Sequence, residues 1–233
     1  MNNQNQQSIG EAQITPGVQN QITPDVVSPE GKQQLFESLG KATVSKGGLD
    51  FILSGIANKV GAEFTSRVKN PETVVQKIAQ KRMQGRNYGI QDVNDNYGGR
   101  FIIKNSSQAS RIKTMLTKAQ DLGIFKINKQ EDVTKDTYHA FHVDFTTSDG
   151  VKGEVQIMKP QEVLESVANH SLRSVFGENP PNQVQNLRDM QANMAKNMPD
   201  NSAVEKAAQI QNIAKANGDQ PLDPRIIAST LQS

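Results

Sequence analysis

Apolar and polar residues alternate along this chain with two different periods, and each change of period marks a new element. From Lys32 to about Phe64 the apolar positions Phe36, Leu39, Phe51, Ile52, Ile56 and Val60 predict helix in two pieces, broken near Gly47-Gly48. Asn70-Pro71 opens a further helix, with asparagine as N-cap and proline at the first helical position. Val74, Val75, Ile78 and Ala79 form its buried stripe. After the Gly98-Gly99 pair the period shortens to two, which predicts a strand from Arg100 to Lys104. A helix follows from about Ser107 to Asp121, and further strands are predicted at 124–128, 138–147 and 151–158. Ser148-Asp149-Gly150 supplies a tight turn between the last two strands, and a helix from about Gln161 to Phe176 closes the region. Beyond Pro180-Pro181, Val184, Leu187, Met190, Met194 and Met198 recur at helical spacing. Ser202-x-x-Glu205 reads as a capping box, and Asp223-Pro224 as the start of a last short helix.

Composition divides the chain of 233 residues. Nine of the first twenty residues are Asn or Gln, so residues 1–31 are expected to be a disordered tail that buries too little surface to offset chain entropy. Residues 32–180 form the folded domain, and residues 181–233 a helical C-terminal extension. Together they predict an α+β fold. Apolar residues make up only 35% of the chain, with a mean hydropathy of -0.61, in keeping with an unpacked tail. A formal net charge of +2 gives no overall basic field for nucleic acid or membrane. The charge is uneven, however, with eight Lys/Arg against three Asp/Glu between Arg67 and Lys104. Cysteine is absent, which excludes disulfides and thiolate metal sites and suits a reducing cytoplasm. No apolar run approaches the ~20 residues a bilayer needs, and the N-terminus lacks the pattern of a secretory signal.

Four polar clusters carry the chemistry. Alternate strand residues share a face, so Arg100, then Tyr138 with His142, then Glu154 with Gln156 project from the polar faces of three predicted strands. Arg67 and Lys69 precede a helix N-terminus, where free N–H groups and the helix dipole favour an anion. Thr73 and Lys77 on the first turns complete a triphosphate cradle. Asp95 and Glu154 come from different elements and form a carboxylate pair suited to Mg²⁺ held against phosphate oxygens. Tyr138 offers a ring on which a base can stack. His139 and His142 are three apart in a strand and face opposite sides, which rejects them as a zinc pair.

In order and spacing these clusters resemble the synthetase domain of the RelA/SpoT (alarmone synthetase) family over about residues 50–176. The run Arg67-Val-Lys69-Asn70-Pro-Glu-Thr73-Val-Val-Gln-Lys77 is similar to the family's R-x-K-S-x-x-S-x-x-x-K. Asp95 to Arg100 is similar to D-x-x-G-x-R, Tyr138 to His142 to Y-x-S-x-H, and Glu154 to Met158 to E-x-Q-x-R. The resemblance implies a nucleotidyltransferase-like mixed sheet flanked by helices, and transfer of the β,γ-pyrophosphate of ATP to a 3′-hydroxyl of GDP, GTP or an adenine nucleotide. Arg67 and Arg100 would sandwich the adenine, and Lys69, Thr73 and Lys77 would hold its phosphates. Asp95 and Glu154 would ligate Mg²⁺, with Glu154 also placed to help deprotonate the acceptor. Tyr138 would stack on the acceptor base, with His142 and Gln156 ordering the site.

Three departures from the family pattern matter, the last two of them for the acceptor. Asn70 stands for the serine after Lys69; the loop before Tyr138 lacks the usual glycine, with Lys135 as substitute anion ligand; and Met158 stands for the final arginine. No His-Asp pair occurs, so no hydrolase activity is expected. Two alternatives remain open beside the alarmone synthetase. One is a toxin that pyrophosphorylates the 3′ end of tRNA, accompanied by an antitoxin partner. The other is an inactive domain in an assembly such as a phage particle. Small family members often assemble, so a homo-oligomer is a further expectation.

Overall fold

Pro29–Val60 form one continuous helix, α1, in the computed structural model, which describes residues 28–135, 138–176, 181–217 and 222–232. Ser28 caps it by accepting a hydrogen bond of 3.0 Å from the Gly31 amide, and Gly61 ends it with a left-handed φ of 74°. The expected break at Gly47-Gly48 does not occur. Leu35, Leu39, Ala42, Leu49, Leu53, Ile56 and Val60 form one uninterrupted buried stripe, and burying it outweighs the helix penalty of two glycines. The N-terminal tail expected at residues 1–31 falls almost wholly outside the described residues, although Pro29–Gly31 already belong to α1.

Strand β1 (Glu63–Val68) follows, then α2 (Pro71–Met83), a short 3₁₀ turn (Ile90–Asp92), β2 (Tyr97–Ile102) and α3 (Ser106–Asp121). As the sequence predicts, Asn70 caps α2, its side chain accepting from the Glu72 amide at 2.9 Å with Pro71 at the first position. Strands β3 (Phe125–Lys135), β4 (Tyr138–Thr147) and β5 (Lys152–Met158) complete one sheet of order β1-β2-β5-β4-β3. Only β2 and β5 run parallel, so the sheet is mixed, as expected of an α+β fold.

Two edges of this sheet differ from the sequence reading. The sequence pattern predicts helix to about Phe64 and no strand over β1, because only Phe64 and Val68 mark it as apolar. β3 runs to Lys135 rather than Asn128, past a register shift between Ile127 and Lys129 that breaks its alternation. Lys129, Glu131 and Asp132 on that stretch suit an edge strand, where charge discourages further pairing.

One face of the sheet is packed by α1 and α3. Tyr97, Phe101, Val143, Phe145, Val155 and Ile157 meet Leu49, Leu53 and Ile56 of α1 and Ile112 and Leu116 of α3. Gly99 points into this core; a Cβ there would lie 2.9 Å from Val155 Cγ1 and 3.0 Å from Phe64. The opposite face is divided. At one end Ile102, Ala140 and Met158 are covered by α4 (Pro160–Phe176) together with α5 (Asn182–Lys196), α6 (Asp200–Ala216) and α7 (Pro224–Gln232). The helices read as an extension thus share a buried core with the sheet through Ala195, Ala207, Ile210, Ile227 and Leu231. α6 starts at Asp200, so Ser202 lies inside the helix and is not its cap; the Ala203 amide already bonds to the Pro199 carbonyl at 2.9 Å. Asp223 does cap α7, accepting from the Arg225 amide at 2.8 Å. The other end of this face carries the polar residues.

Candidate active site

Strand register brings the clusters into two adjacent rows. In the first, Arg67 of β1 lies opposite Gly98 of β2, Gly98 opposite Glu154 of β5, and Glu154 opposite Asp144 of β4. In the second, Thr65, Arg100, Gln156 and His142 follow one another across the same four strands. Because the side-chain period is two, both rows face the same side. Gly98 leaves a gap between Arg67 and Glu154 where any other residue would place a side chain. Its position is set by the packing of its neighbour Gly99 into the core.

The rows are cross-linked by hydrogen bonds. Arg100 donates to Gln156 Oε1 at 3.1 and 3.3 Å, and Gln156 Nε2 donates to Glu154 Oε1 at 2.8 Å. Glu154 Oε2 lies 2.9 Å from His142 Nδ1, and the His142 Nε2 lies 2.5 Å from the Tyr138 hydroxyl. Each oxygen of Glu154 is therefore engaged. Burial alone would raise its pKa, but the bonds from His142 and Gln156 win and hold it below the ordinary glutamate range. Tyr138 is half-buried against the α4 core, ring centroid 5.8 Å from that of His142 at 73°, and burial pushes its hydroxyl well up, with Glu154 adding to the shift.

Asp95 precedes β2 and is gripped by two lysines. Lys69 Nζ bonds its Oδ2 and Lys77 Nζ its Oδ1, the latter at 2.9 Å. Burial would raise the Asp95 carboxyl, yet the two ammonium charges outweigh it and hold the pKa at about 2. Lys69 is the more enclosed of the pair. Burial lowers its pKa, and the neighbouring cations Lys77 and Arg67 add to this against the pull of Asp95. For Lys77 the attraction of Asp95 overcomes burial and the pKa rises. The backbone fixes this corner as well: the Lys69 amide bonds to the Asn96 carbonyl at 2.9 Å, and buried Asn96 donates to Ser38 of α1 at 2.7 Å. Arg100 has its pKa pulled down to about 10, first by burial and then by the positive charge of Arg67. Two guanidinium groups thus stand near each other on one face.

The expected site residues Arg67, Lys69, Lys77, Asp95, Arg100, Tyr138, His142, Glu154 and Gln156 are accordingly brought to one corner of the sheet. Thr73 is half-buried on the first turn of α2, one turn before Lys77. Lys135 ends β3, and its side chain lies outside the described part, as do residues 136 and 137. His139 is drawn off to Glu162 and Asp132, at 2.7 and 2.8 Å, while His142 turns to Glu154. Three residues were not named as candidates: Asn96; Tyr88, which senses the charge of Lys77 and Asp95; and Asp144. Asp144 shares the polar face with His142 by simple alternation, and burial and the charge of Glu154 raise its pKa.

The donor set fits a hard divalent cation. Asp95 and Glu154 are both held in the ionised form, and the charge of Asp95 is felt at Glu154. Among the described residues no group of three or more His, Asp or Glu could hold a metal by itself. Mg²⁺ at phosphoryl-transfer sites uses one or two carboxylates and takes its remaining ligands from water and phosphate oxygens, which matches this pair.

Comparison with known proteins agrees with this fold. The model of the region found in RelA / SpoT proteins matches residues 66–173. No protein of curated function matches the chain by sequence. Small alarmone synthetase 1 from Bacillus subtilis superposes with a TM-score of 0.57 at 20% identity, covering 78% of this chain and 99% of that one. A GTP pyrophosphokinase family protein from Streptococcus pneumoniae gives 0.57 at 21% identity, covering 80% and 97%. The Bacillus subtilis synthetase 1 bound to its product pppGpp gives 0.55 at 18% identity, covering 80% and 98%. Residues 66–173 match the region found in RelA / SpoT proteins, and they are built on the mixed-sheet fold seen in the small alarmone synthetases.

Proposed function

We propose that this chain is an ATP:nucleotide 3′-pyrophosphotransferase. Arg67 and Arg100 clasp the adenine between planar cations, a stacking partner to which guanidinium is suited. Lys69 and Lys77, with Thr73 on the first turn of α2, take the triphosphate, helped by the positive end of that helix. Tyr138 stacks on the acceptor base, His142 holds the tyrosine hydroxyl, and Lys135 is the candidate ligand for the acceptor phosphates. The acceptor 3′-oxygen attacks the β-phosphorus of ATP; the new O–Pβ bond forms as the bridge to the α-phosphate breaks, and AMP departs. Glu154 takes the hydroxyl proton, oriented by Gln156 and His142. Bound at Asp95 and Glu154, Mg²⁺ would supply charge neutralisation on the phosphate oxygens. Positioning and electrostatics provide most of the rate in such transfers, so little covalent chemistry is asked of the protein.

The observation that carries this reading is the double grip of Lys69 and Lys77 on Asp95, beside the row Arg67–Gly98–Glu154. An incoming triphosphate competes with Asp95 for both lysines and so frees the carboxylate as it binds. A catalytically inert scaffold has no use for such a set of matched charges. The product-bound Bacillus subtilis relative supports guanine nucleotides as acceptors, with GDP and GTP as the first choices.

The test is incubation of the protein with Mg²⁺ and γ-labelled ATP, offering GDP, GTP, AMP, ATP or tRNA. Label on a nucleotide is the expected outcome. Label on tRNA would assign the tRNA-directed toxin activity instead, and failure to bind ATP or transfer label to any acceptor would overturn the enzyme reading.

A further inference from the structure

Strand β5 divides the polar face of the sheet into two halves. On one side Arg67, Lys69, Asp95 and Arg100 stand on β1, β2 and the segments leading into α2 and β2; on the other, Tyr138, His142 and Asp144 all stand on β4. Asp144 lies apart from the hydrogen-bond chain that links Tyr138, His142, Glu154, Gln156 and Arg100. It is the cross-strand partner of Glu154, and side chains so paired stand about 5 Å apart on one face. Asp144 is half-buried, and burial and the charge of Glu154 both work against its ionised form. Yet among the described residues nothing donates a hydrogen bond to its carboxylate. Lys129, its partner on β3, is turned to Glu131 at 2.7 Å. Lys152, two residues before Glu154 on the same face of β5, donates to the Gln91 carbonyl, and His142 is held between Glu154 and Tyr138. A half-buried carboxylate without a donor, beside a second carboxylate, is matched to a donor that arrives with the substrate.

The place of Asp144 narrows the kind of donor. At ~3.4 Å per residue it lies about 20 Å along β4 from Tyr138, which takes the acceptor base, and about 7 Å from His142. Lys135, the candidate ligand for the acceptor phosphates, is paired with Tyr138 at that far end. Asp95 approaches Glu154 from the β2 side, so the carboxylate pair for the metal and Asp144 lie on opposite sides of β5. Two adjacent carboxylates repel a phosphate and accept the hydrogens of neutral hydroxyl groups. A ribose whose 3′-hydroxyl reaches Glu154 carries its 2′-hydroxyl on the adjacent carbon, beside the next carboxylate along the row. We propose that Asp144 accepts a hydrogen bond from the 2′-hydroxyl of the acceptor and so restricts the reaction to ribonucleotides. This specificity role rests on the pyrophosphotransfer reading above. Hydrogen bonds to a charged oxygen are of the stronger kind. An acceptor without the 2′-hydroxyl leaves the carboxylate unpaired again, and a site built to hold a hydroxyl discriminates best against the analogue that lacks it. The same bond turns the ribose so that its 3′-oxygen faces Glu154.

The full chain is given Mg²⁺, γ-labelled ATP and either GDP or AMP, and whichever takes the label better is compared with its 2′-deoxy form. The natural chain is expected to favour the ribonucleotide by about tenfold or more in kcat/KM. Asp144→Ala should bring that ratio to within about threefold of one, chiefly by weakening use of the ribonucleotide. Asp144→Asn should keep part of the preference, because its amide oxygen still accepts from a hydroxyl. The Mg²⁺ concentration giving half the maximal rate should be the same for the natural chain and both variants. Urea unfolding should find Asp144→Asn no less stable than the natural chain, since no hydrogen bond within the protein is lost. Equal use of the two acceptors by the natural chain, an undiminished preference in Asp144→Ala, or a raised Mg²⁺ requirement in the variants would each overturn the inference and leave the transfer reading standing. Transfer to no nucleotide would instead remove the reading on which the inference rests, and the inference with it.

Discussion

Replacing Asp95 by Asn removes the one negative charge shared by Lys69 and Lys77 and leaves the shape nearly intact. The Asp95 carboxyl has its pKa lowered from 3.8 to about 2. At about 1.4 kcal/mol per unit this corresponds to about 2.5 kcal/mol of folding stability at neutral pH. The side chains of Asp95 and Lys69 are 25% and 11% exposed, between a surface ion pair and a fully buried one. Such an intermediate pair supports an estimate of about 2 kcal/mol. The sign follows from the direction of the shift. A carboxyl depressed in the folded state stabilises above its unfolded pKa, and that stability disappears as pH falls through the folded value. The gap between wild type and Asp95→Asn should be full at pH 7 and, from the two pKa values, roughly halved near pH 3. Urea unfolding of the ligand-free protein at several pH values measures it. The same substitution should strengthen binding of a non-hydrolysable ATP analogue in EDTA, since the triphosphate no longer competes with a carboxylate for the lysines. With Mg²⁺ present the order should reverse. Equal stability of the two proteins at pH 7, or weaker analogue binding by the variant in EDTA, would refute the swap of lysines between Asp95 and phosphate.

Glu154→Gln should lower kcat at least a hundredfold with ATP affinity kept within a few fold; single-turnover transfer alongside equilibrium binding separates the two, and unchanged turnover would remove its role as proton acceptor. Tyr138→Ala should raise the KM for the acceptor well beyond that for ATP, by an amount equivalent to about 1–3 kcal/mol of lost stacking, whereas equal effects on both substrates would contradict stacking on the acceptor. Gly99→Ala forces a methyl group to within 2.9 Å of Val155 and 3.0 Å of Phe64. It should cost about 1–3 kcal/mol of stability by overpacking, read as a shift in the urea midpoint, and a neutral effect would mean that this core yields more readily than its geometry suggests.

Much of the candidate site could be read before any coordinates, because strand alternation is a local rule. Tyr138 and His142, Glu154 and Gln156, and Asn70-Pro71 at the head of α2 follow from spacing and capping chemistry alone. The errors fall where long-range packing decides. Gly47-Gly48 breaks an isolated helix, but in α1 the stripe from Leu35 to Val60 is buried along its whole length and carries the helix through. β1 has too few apolar residues to announce itself, and it exists because Thr65, Ser66 and Arg67 find partners on β2. β3 extends past Asn128 because β4 offers it a template as far as Tyr138.

The sequence by itself determined which residues have the chemistry, two cations beside a capped helix, acids on separate elements and a tyrosine–histidine strand, since side-chain type and period are properties of the chain alone. Only the tertiary structure decided which of them meet. Strand order β1-β2-β5-β4 sets Arg67, Gly98, Glu154 and Asp144 in one row, although they span residues 67 to 154. It also placed Asp95 between Lys69 and Lys77, and closed one end of the polar face with helices from the C-terminal fifty residues. Charge–charge energies and burial depend on distance through space, and distance through space is what a one-dimensional pattern does not contain.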